Sequence, residues 1–248
     1  MSKILLHACC GPCSLEPVRL LQEEGHELAI YFYNPNIHPA EEYQHRLQTL
    51  HQWADPAGVQ VIEGPYDPRA WEQSVGTLHR EGCPMQERCR ACYRMRLQKT
   101  AEAATELGFE ALSSTLNVSP YQFNDIIHEE TDRAAEAAGL ESVFRDFRPA
   151  YPEATRRSRE LGMYRQKFCG CHYSKDEAEA QRREREERKA AEKARRAADE
   201  AVREQERAAK RAAQEAYDRK QQAKKAARKA AKAAAMEEAA KASEGITR

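Results

Sequence analysis

Large apolar side chains are confined to about the first 175 residues of this 248-residue chain. From residue 176 onwards the sequence contains no Leu, Phe or Trp. The large apolar or aromatic residues of that region are Val202, Tyr217, Met236 and Ile246. Such a segment has no face that it could bury, whereas about 175 residues bury roughly 70% of their surface on folding. The sequence therefore predicts one globular domain, residues 1–175, followed by an extension, residues 176–248.

The extension is rich in Ala, Glu, Lys, Arg and Gln, which have the highest helix propensities, and it has no Gly or Pro before Gly245. Acidic residues repeatedly stand four positions before basic ones, as Glu192 does before Arg196, and this order stabilises an isolated helix. Ala fills most positions where a coiled coil needs larger apolar residues. We therefore expect one long, solvated helix.

Charge is distributed unevenly, although the chain has 40 basic and 40 acidic residues and is neutral as a whole. From Lys175 onwards there are 22 basic and 16 acidic residues, which leaves 18 and 24 in the domain. Within residues 207–232 the basic residues outnumber the acidic ones by ten to two. That block could contact a polyanion, although a run of mixed charge is more often simply solvated.

The beginning of the sequence predicts no targeting or membrane segment. The apolar run Ile4, Leu5 and Leu6 stands behind a single Lys3 and is too short for a signal peptide or a membrane span. We therefore expect a cytoplasmic protein, in which thiols are kept reduced. Its eight cysteines are then expected to bind metal or to take part in redox catalysis, and not to form a structural disulfide framework.

Apolar runs alternate with helical patterns along the domain. Strands are predicted at residues 3–8, 27–33, 59–63 and 111–114. Helices are predicted from residue 14, with Ser14 as N-cap, and at 39–54, 69–77, 89–107, 118–138 and 153–161. This alternation predicts a parallel sheet with helices on both faces, which is an α/β, Rossmann-like architecture.

Three loops should meet at one edge of that sheet. They follow the first, second and fourth strands and comprise residues 9–14, 33–38 and 113–122. Ligands of parallel sheets bind beyond the carboxyl ends of the strands. The sequence therefore predicts a pocket that these loops share.

Two cysteine pairs fall where they could bind one metal centre. Cys9 and Cys10 end the first strand, and Cys89-x-x-Cys92 lies at the start of a predicted helix, with a spacing that lets both sulfurs face one metal. Four thiolates suit zinc and an iron–sulfur cluster equally by number. Adjacent cysteines bind the separate irons of a cluster more easily than one tetrahedral ion, so the spacing slightly favours iron. Zinc and ordinary buried cysteines remain open.

The motif Cys169-Gly170-Cys171 indicates a different use. A disulfide across one residue closes a small strained ring, and strain raises its reduction potential. Gly170 helps the backbone to turn tightly. The spacing favours a redox-active pair, with two further metal ligands as the alternative. Of the remaining thiols, Cys13 sits on the pocket loop, where it could contact a metal or the substrate, and Cys83 is a loop thiol.

Five motifs together span most of the domain. They read CCGPCS from Cys9, YNPNIHPAEEY from Tyr33, RCRACYRMR from Arg88, LSSTLNVSPYQ from Leu112 and MYRQKFCGCHYS from Met163. In this combination the chain resembles the QueH-type, cobalamin-independent tRNA epoxyqueuosine reductases. That family carries out the last step of queuosine biosynthesis at the tRNA wobble position, and its fold is similar to the PP-loop, HUP-like enzymes. Residues 9–14 replace the SGGxDS loop of ATP pyrophosphatases, so an ATP site is not expected.

The resemblance implies an oxidoreductase with a metal centre. It implies a [4Fe-4S] cluster held by Cys9, Cys10, Cys89 and Cys92. It further implies that Cys169 and Cys171 form a redox-active disulfide, that the substrate is tRNA carrying epoxyqueuosine, and that an unidentified donor supplies electrons without cobalamin. A second metal beside the cluster is conceivable, with Cys13 as one candidate ligand. The extension after Lys175 lies outside the family pattern.

Polar and aromatic residues on or near the pocket loops are candidates for substrate contacts. The candidates for substrate binding are Tyr33, Asn34, Asn117, Tyr121, Arg148 and Arg165. The candidates for protonating the epoxide oxygen are His7, Tyr33, His38, Tyr121 and His172, although each is more often a structural residue. A basic and aromatic stretch before Cys169 suits contact with an anticodon base that is splayed outward. It comprises Arg145, Arg148, Tyr151, Arg156, Arg157, Arg159, Tyr164 and Arg165.

Two other functions compete with this one. The first is a zinc-stabilised RNA-binding module, in which the four cysteines are structural, and iron with labile sulfide would exclude it. The second is a PP-loop-like enzyme that modifies tRNA by another reaction, and ATP consumption would identify it.

Overall fold

Five strands form one parallel sheet in the computed structural model, which describes residues 1–244, with side chains for residues 1–232, 235 and 236. The strands are β1 (Lys3–His7), β2 (Glu27–Phe32), β3 (Val61–Glu63), β4 (Ala111–Ser114) and β5 (Glu141–Ser142). Their order is β3-β2-β1-β4-β5, and every neighbouring pair is parallel. The predicted parallel sheet is confirmed, and β5 is a short additional strand that the sequence pattern did not predict.

Helices cover both faces of this sheet. They are α1 (Gly11–Glu23), α2 (Ala40–Ala54), α3 (Pro68–Trp71), α4 (Thr77–Arg80), α5 (Met85–Glu106), α6 (Asn124–Ala138), α7 (Tyr151–Glu160) and α8 (His172–Glu244). A π-helical turn, Glu72–Gly76, joins α3 to α4, and 3₁₀ turns occupy Leu116–Val118 and Arg148–Ala150. α1 packs against β2, α2 and α7, whereas α5 and α6 pack against each other and against β4.

The central strand β1 contributes side chains to the cores on both faces. Ile4 and Leu6 are completely buried in the cluster that contains Leu21 and Leu50 of α1 and α2. Leu5 points the other way and is buried with Ala104 of α5. Successive strand residues face opposite sides, so a strand covered on both faces is apolar throughout. This explains why residues 4–6 form an uninterrupted apolar run.

Helix α1 begins at Gly11, earlier than the predicted start at Ser14. Cys10 is the N-cap in an extended conformation, and Pro12 in the first turn has the fixed φ that helix initiation needs. Ser14 does not cap the helix, and its hydroxyl donates a 2.8 Å hydrogen bond to the carbonyl of Cys10. Cys13 therefore lies in the first helical turn, beside Cys10.

Two other helices also begin away from the predicted residues. α6 starts at Asn124, later than predicted, because Pro120 disfavours helical geometry at the preceding residue. Tyr121 consequently lies in a loop. α5 starts at Met85, so the Cys-x-x-Cys motif lies inside the helix and not at its beginning. Gly139 ends α6 at φ 68°, as predicted.

The chain divides into two compact units, Met1–Ala180 and Gln181–Arg248. The first contains the sheet and all eight cysteines. The described part of the second, up to Glu244, is the continuation of α8, in which the predicted Glu192–Arg196 pair forms at 2.6 Å and Tyr217 is 57% exposed. The predicted long solvated helix is confirmed, while Ile246 lies outside the described residues. Within residues 1–244, no helix is both long enough and apolar enough to cross a membrane.

Candidate metal-thiolate site

The carboxyl edge of the sheet is organised by His7, the last residue of β1. Its Nδ1 lies 3.3 Å from the hydroxyl of Ser114, and its Nε2 lies 3.2 Å from the carbonyl oxygen of Tyr33. Burial, reinforced by the nearby charge of Arg96, lowers the pKa of His7 well below its usual value. The ring is therefore neutral, with Nε2–H donating to Tyr33. Both nitrogens are used in joining the three strands, so the structure gives His7 a positioning role.

Cys9 and Cys10 lie between β1 and α1, and Cys13 lies in the first turn of α1. Cys10 is buried, and the amide nitrogen of Gln166 donates to its sulfur at 2.8 Å. The hydrogen bond with Cys13 and burial raise the pKa of Cys10 to about 12, and contact with Cys10 together with burial raises the pKa of Cys9. The three thiols therefore follow one another in contact at the end of β1.

Cys89 and Cys92 lie one turn apart on α5 and share a helix face. Burial raises the pKa of Cys89 to about 12, and the nearby Cys169 and Cys92 add to that shift. The indole nitrogen of Trp71 donates to the sulfur of Cys92 at 3.4 Å. Cys89 packs against the same apolar cluster as Cys9. The Cys-x-x-Cys motif and the adjacent cysteines are thus brought to one region, and a shared metal centre stays a prediction.

The backbone of the Cys169-Gly170-Cys171 loop is fixed against α2 and the loop that follows β2. Gly170 has φ +118°, and a Cβ there would lie 2.7 Å from the side chain of Ile37 and 3.2 Å from its Cα. Only glycine fits such a position without strain. The guanidinium of Arg46 donates to the carbonyl of Cys169 at 3.0 Å, and the amide of His38 donates to that of Gly170 at 2.9 Å. Two backbone hydrogen bonds and the packing of Gly170 against Ile37 therefore restrain the loop.

Both sulfurs of this loop are free thiols in the structure. Hydrogen bonds from Cys171 and Ser174 lower the pKa of Cys169 despite its burial, and the hydroxyl oxygen of Ser174 lies 2.8 Å from its sulfur. The same hydrogen bond raises the pKa of Cys171. Cys169 is therefore the more acidic thiol of the pair, and Cys171 donates the hydrogen bond between the two sulfurs.

The cysteine motifs are neighbours, but they do not form a finished metal site. Cys169 is close enough to raise the pKa of both Cys89 and Cys92, and Cys171 packs with Cys92 beside Trp71. Among the side chains that the structure describes, no three His, Cys, Asp or Glu residues are arranged as metal ligands. The donor set nevertheless fits a metal in kind, because thiolates select zinc and iron–sulfur clusters.

Arg96 is a component of the site that the sequence reasoning missed. It is 2% exposed, and although burial alone would lower its pKa, the nearby sulfurs of Cys92, Cys9 and Cys169 raise it. Its Nη2 donates to the side-chain oxygen of Asn34 at 2.7 Å, and its charge acts on the sulfurs of Cys92, Cys9 and Cys169. A buried cation is costly unless it is paired. When these sulfurs bind a metal as thiolates, they are the counter-ions of Arg96.

Three more residues were missed because they act through tertiary contacts. Arg46 is completely buried and holds the Cys169 loop, while Trp71 and Gln166 donate to sulfurs of two different motifs. Of these four residues, Arg96 alone could have been recognised from the sequence, because it stands four residues after Cys92 and therefore on the same helix face.

The predicted substrate contacts near the pocket loops are buried to very different extents. Asn34 is completely buried, and its amide nitrogen donates to the carbonyl of Ala8 at 2.9 Å, so both of its amide groups are used within the protein. Tyr33 is half-buried and stacked on Tyr31. Asn117 is buried with its side-chain oxygen unpartnered. Tyr121 is 70% exposed.

The predicted basic stretch is largely neutralised by carboxylates. Arg148 pairs with Asp146, Arg157 with Glu16, and Arg145 with Glu24. Arg156 is paired with two glutamates of its own helix, α7. Arg165 lies 3.4 Å from the hydroxyl of Thr155, and Tyr164 donates to Glu42. Several of these arginines therefore have carboxylate partners within the protein, and contact of the stretch with RNA stays a prediction.

Comparison with known proteins identifies the family. The family model described as "Epoxyqueuosine reductase QueH" matches residues 4–177. The chain belongs to this family. It is 34% identical over 176 residues to the epoxyqueuosine reductase QueH of Dehalococcoides mccartyi. This alignment covers 71% of this chain and 93% of that relative. It is 34% identical over 179 residues to that of Thermotoga maritima, with 70% and 91% covered.

A solved structure shows a weaker likeness. It is described as a predicted subunit of tRNA methyltransferase from Methanocaldococcus jannaschii, with a TM-score of 0.45 and 11% identity over 64% of this chain and 75% of that one. The match to the epoxyqueuosine reductase QueH family contains all eight cysteines and ends at residue 177, close to the end of the first compact unit at Ala180. The rest of α8 lies outside the match.

Proposed function

We propose that this chain reduces epoxyqueuosine to queuosine in tRNA, in the cytoplasm. The observation that carries the proposal is that a member of this family brings three cysteine motifs to the carboxyl edge of its sheet. The reaction breaks both C–O bonds of the epoxide and leaves a carbon–carbon double bond and water. It therefore consumes two electrons and two protons.

The thiol pair matches that requirement. Oxidation of the dithiol form of Cys169 and Cys171 to a disulfide releases two electrons and two protons, which balances the reduction of one epoxide. The hydrogen bond from Arg46 to the carbonyl of Cys169 and the positive φ of Gly170 keep the two sulfurs adjacent. A disulfide in so small a ring is strained and therefore readily reduced again. An external donor, which the sequence does not identify, restores the dithiol.

We assign the metal centre to the other two motifs. In this proposal a [4Fe-4S] cluster is held by Cys9, Cys10, Cys89 and Cys92. When bound, such a cluster supplies electrons one at a time. Trp71 and Gln166 each donate to a ligand sulfur, and such hydrogen bonds stabilise added negative charge. Cys13, in contact with Cys10, is the candidate ligand for a second metal, and no cobalamin is expected.

Protonation of the epoxide oxygen requires an acid beside the thiol pair. Burial raises the pKa of Tyr33, which makes it a poorer acid, and His7 is neutral with both nitrogens used. His172 directly follows Cys171, and its side chain is 44% exposed. His172 is therefore our candidate for the proton donor.

The decisive experiment combines metal analysis with nucleoside analysis. The chain is purified anaerobically and its iron and labile sulfide are measured, and it is expressed in a strain that accumulates epoxyqueuosine. We expect a brown protein with iron and sulfide in equal amounts and restored queuosine in tRNA. Zinc without sulfide, together with unchanged epoxyqueuosine, would favour the RNA-binding module. A different tRNA modification that consumes ATP would favour the PP-loop-like enzyme.

A further inference from the structure

A cavity opens beside the thiol pair and has no assigned role. Its volume is about 520 Å³, within the range of roughly 300–1,000 Å³ that is typical of small-molecule sites. It is lined by His38, Pro39, Glu42, Phe168, His172 and Lys175. Phe168 immediately precedes Cys169, and His172 immediately follows Cys171. A ligand in the cavity therefore lies against the loop that carries both thiols.

The charged groups of the cavity favour an anionic ligand. The carboxylate of Glu42 is already used, since Arg46 donates to one oxygen at 2.7 Å and Tyr164 to the other at 2.7 Å. The Nε2 atom of His38 is buried without a hydrogen-bond partner, and Lys175 is exposed. The cavity thus offers one exposed cation, Lys175, while its one carboxylate is neutralised.

The walls of the cavity are flat rings. The imidazoles of His38 and His172 meet edge to face at 5.0 Å, and Trp71 lies 5.8 Å behind His38. Phe168 forms another wall and is backed by the guanidinium of Arg46 at 5.2 Å from its ring centre. Rings of this kind provide stacking surfaces for an unpaired base, and Lys contacts the adjoining phosphate.

We propose that this cavity is a nucleotide subsite, which takes one unstacked nucleotide of an RNA strand with its base at Phe168 and a backbone phosphate at Lys175. The proposal rests on the proposed function and places the modified nucleotide next to Cys169 and Cys171. A free mononucleotide presents the same chemistry of base and phosphate. The experiment therefore includes both forms.

The test measures binding of a fluorescent RNA hairpin with the sequence of a queuosine-accepting anticodon arm to the full-length chain. Phe168→Leu should weaken binding roughly tenfold at every salt concentration, because stacking on one ring is lost. Lys175→Ala should weaken binding and flatten the salt dependence by about one unit of slope, because one phosphate contact is lost. The matched control is Lys167→Ala, which removes an exposed lysine next to Phe168 but outside the cavity. It should bind as the wild type does.

Melting curves and titration of free thiols show whether each variant remains folded. Affinities and salt slopes of folded Phe168→Leu and Lys175→Ala variants equal to those of the wild type would overturn the subsite. Guanosine monophosphate or ATP that competes with the hairpin at micromolar concentration would assign the cavity to a free nucleotide and also overturn it. Hairpin binding does not depend on turnover. A wild-type chain that binds through Phe168 but leaves epoxyqueuosine unchanged would therefore contradict the proposed function alone.

Discussion

Arg96 donates a 2.7 Å hydrogen bond to the side-chain oxygen of Asn34, and both residues are almost completely buried. Asn34 in turn donates to the carbonyl of Ala8, so this pair connects α5 with the loops that follow β1 and β2. The Nε atom of Arg96 is buried without a hydrogen-bond partner. Its positive charge is therefore directed at the sulfurs of the site, including those of Cys9 and Cys92.

Replacement of Arg96 should alter the metal centre before it alters the fold. In Arg96→Met the thiolates lose their buried counter-ion, so we expect lower iron and sulfide content and a more negative reduction potential of the metal that remains. Arg96→Lys keeps the charge and should recover part of both properties. The matched control is Lys99→Met, an exposed cation on the same helix. Full metal content and an unchanged potential in Arg96→Met would contradict this role.

The assignment of ligands predicts that single cysteines differ sharply in their effect. Cys89→Ser should lose cluster absorbance, iron and sulfide together with activity, since serine is a poor ligand for soft metals. Cys83→Ser should retain all four properties, because that thiol belongs to none of the three motifs. Absorbance spectra and metal analysis of anaerobically purified variants provide the measurement. A full complement of iron and sulfide in Cys89→Ser would exclude Cys89 as a ligand.

The cysteine motifs could be predicted from the sequence because their spacing is a local property. Two cysteines three residues apart on a helix share a face whatever surrounds them. The sheet could also be predicted, since apolar runs such as residues 4–6 alternate with helical patterns. The position of each motif relative to the helix ends was less accurate. Pro12 and Pro84 start α1 and α5 earlier than the apolar pattern indicates.

The groups that surround the sulfurs could not be predicted, because their role depends on burial. Arg46 and Arg96 look like ordinary surface residues of amphipathic helices in the sequence, yet they are 0% and 2% exposed. The contact of the arginines between residues 145 and 165 with RNA stays a prediction. Their pairing with Glu16 and Glu24 could not be predicted, because these glutamates are distant in the sequence.

The thiol pair should act in electron transfer and not in metal binding. Mass spectrometry of the air-exposed protein should find the peptide with Cys169 and Cys171 about two mass units lighter, because the disulfide forms with loss of two hydrogens. Cys171→Ser should retain iron and sulfide but lose turnover. Normal turnover of this variant with both a chemical and the physiological reductant would contradict the relay. Loss of its metal would instead favour the alternative of two further ligands.

Glu130 should stabilise the contact between α5 and α6. Its buried carboxylate accepts hydrogen bonds from Arg90 and Arg94, at 3.0 and 2.8 Å. Burial opposes ionisation, but these hydrogen bonds outweigh it and lower the pKa of Glu130. Glu130→Gln should lower the free energy of unfolding by about 1–2 kcal/mol. This loss is smaller than for a fully buried ion pair, because both arginines are partly exposed. The exposed Glu129→Gln should cost less than about 0.5 kcal/mol.

The pH dependence of unfolding tests the same carboxylate. A depressed folded-state pKa adds stability at pH values above the unfolded-state pKa, near 4.5, and this stability is lost as the pH falls through the folded-state pKa. The difference in melting temperature between wild type and Glu130→Gln should therefore shrink on acidification below about pH 4.5. A difference that stays constant down to pH 3 would show that the ionised carboxylate is not its cause.

The last prediction concerns where the extension can be removed. Glu177 in the first turns of α8 accepts two hydrogen bonds, at 2.7 and 2.6 Å, from Arg88, which is 3% exposed. Truncation after Lys175 would leave this guanidinium without its carboxylate. Truncation after Ala180 keeps the pair and removes only the second compact unit. The shorter chain should therefore melt at a lower temperature, while the longer one should keep the stability, metal content and saturated turnover of the intact protein.

Affinity for tRNA is the property that removal of residues 181–248 should change. The basic block at 207–232 has no thiols and no apolar core, so it can affect the reaction only through binding. Each phosphate contact that is lost should flatten the salt dependence by about one unit of slope. A full-length variant with Gln at the basic positions of the block keeps the helix and serves as the control for charge. If the block binds RNA, this variant and the truncated chain should lose the same affinity at moderate salt. If instead all three proteins have equal dissociation constants across a salt series, the extension is a solvated helix without a role in tRNA binding.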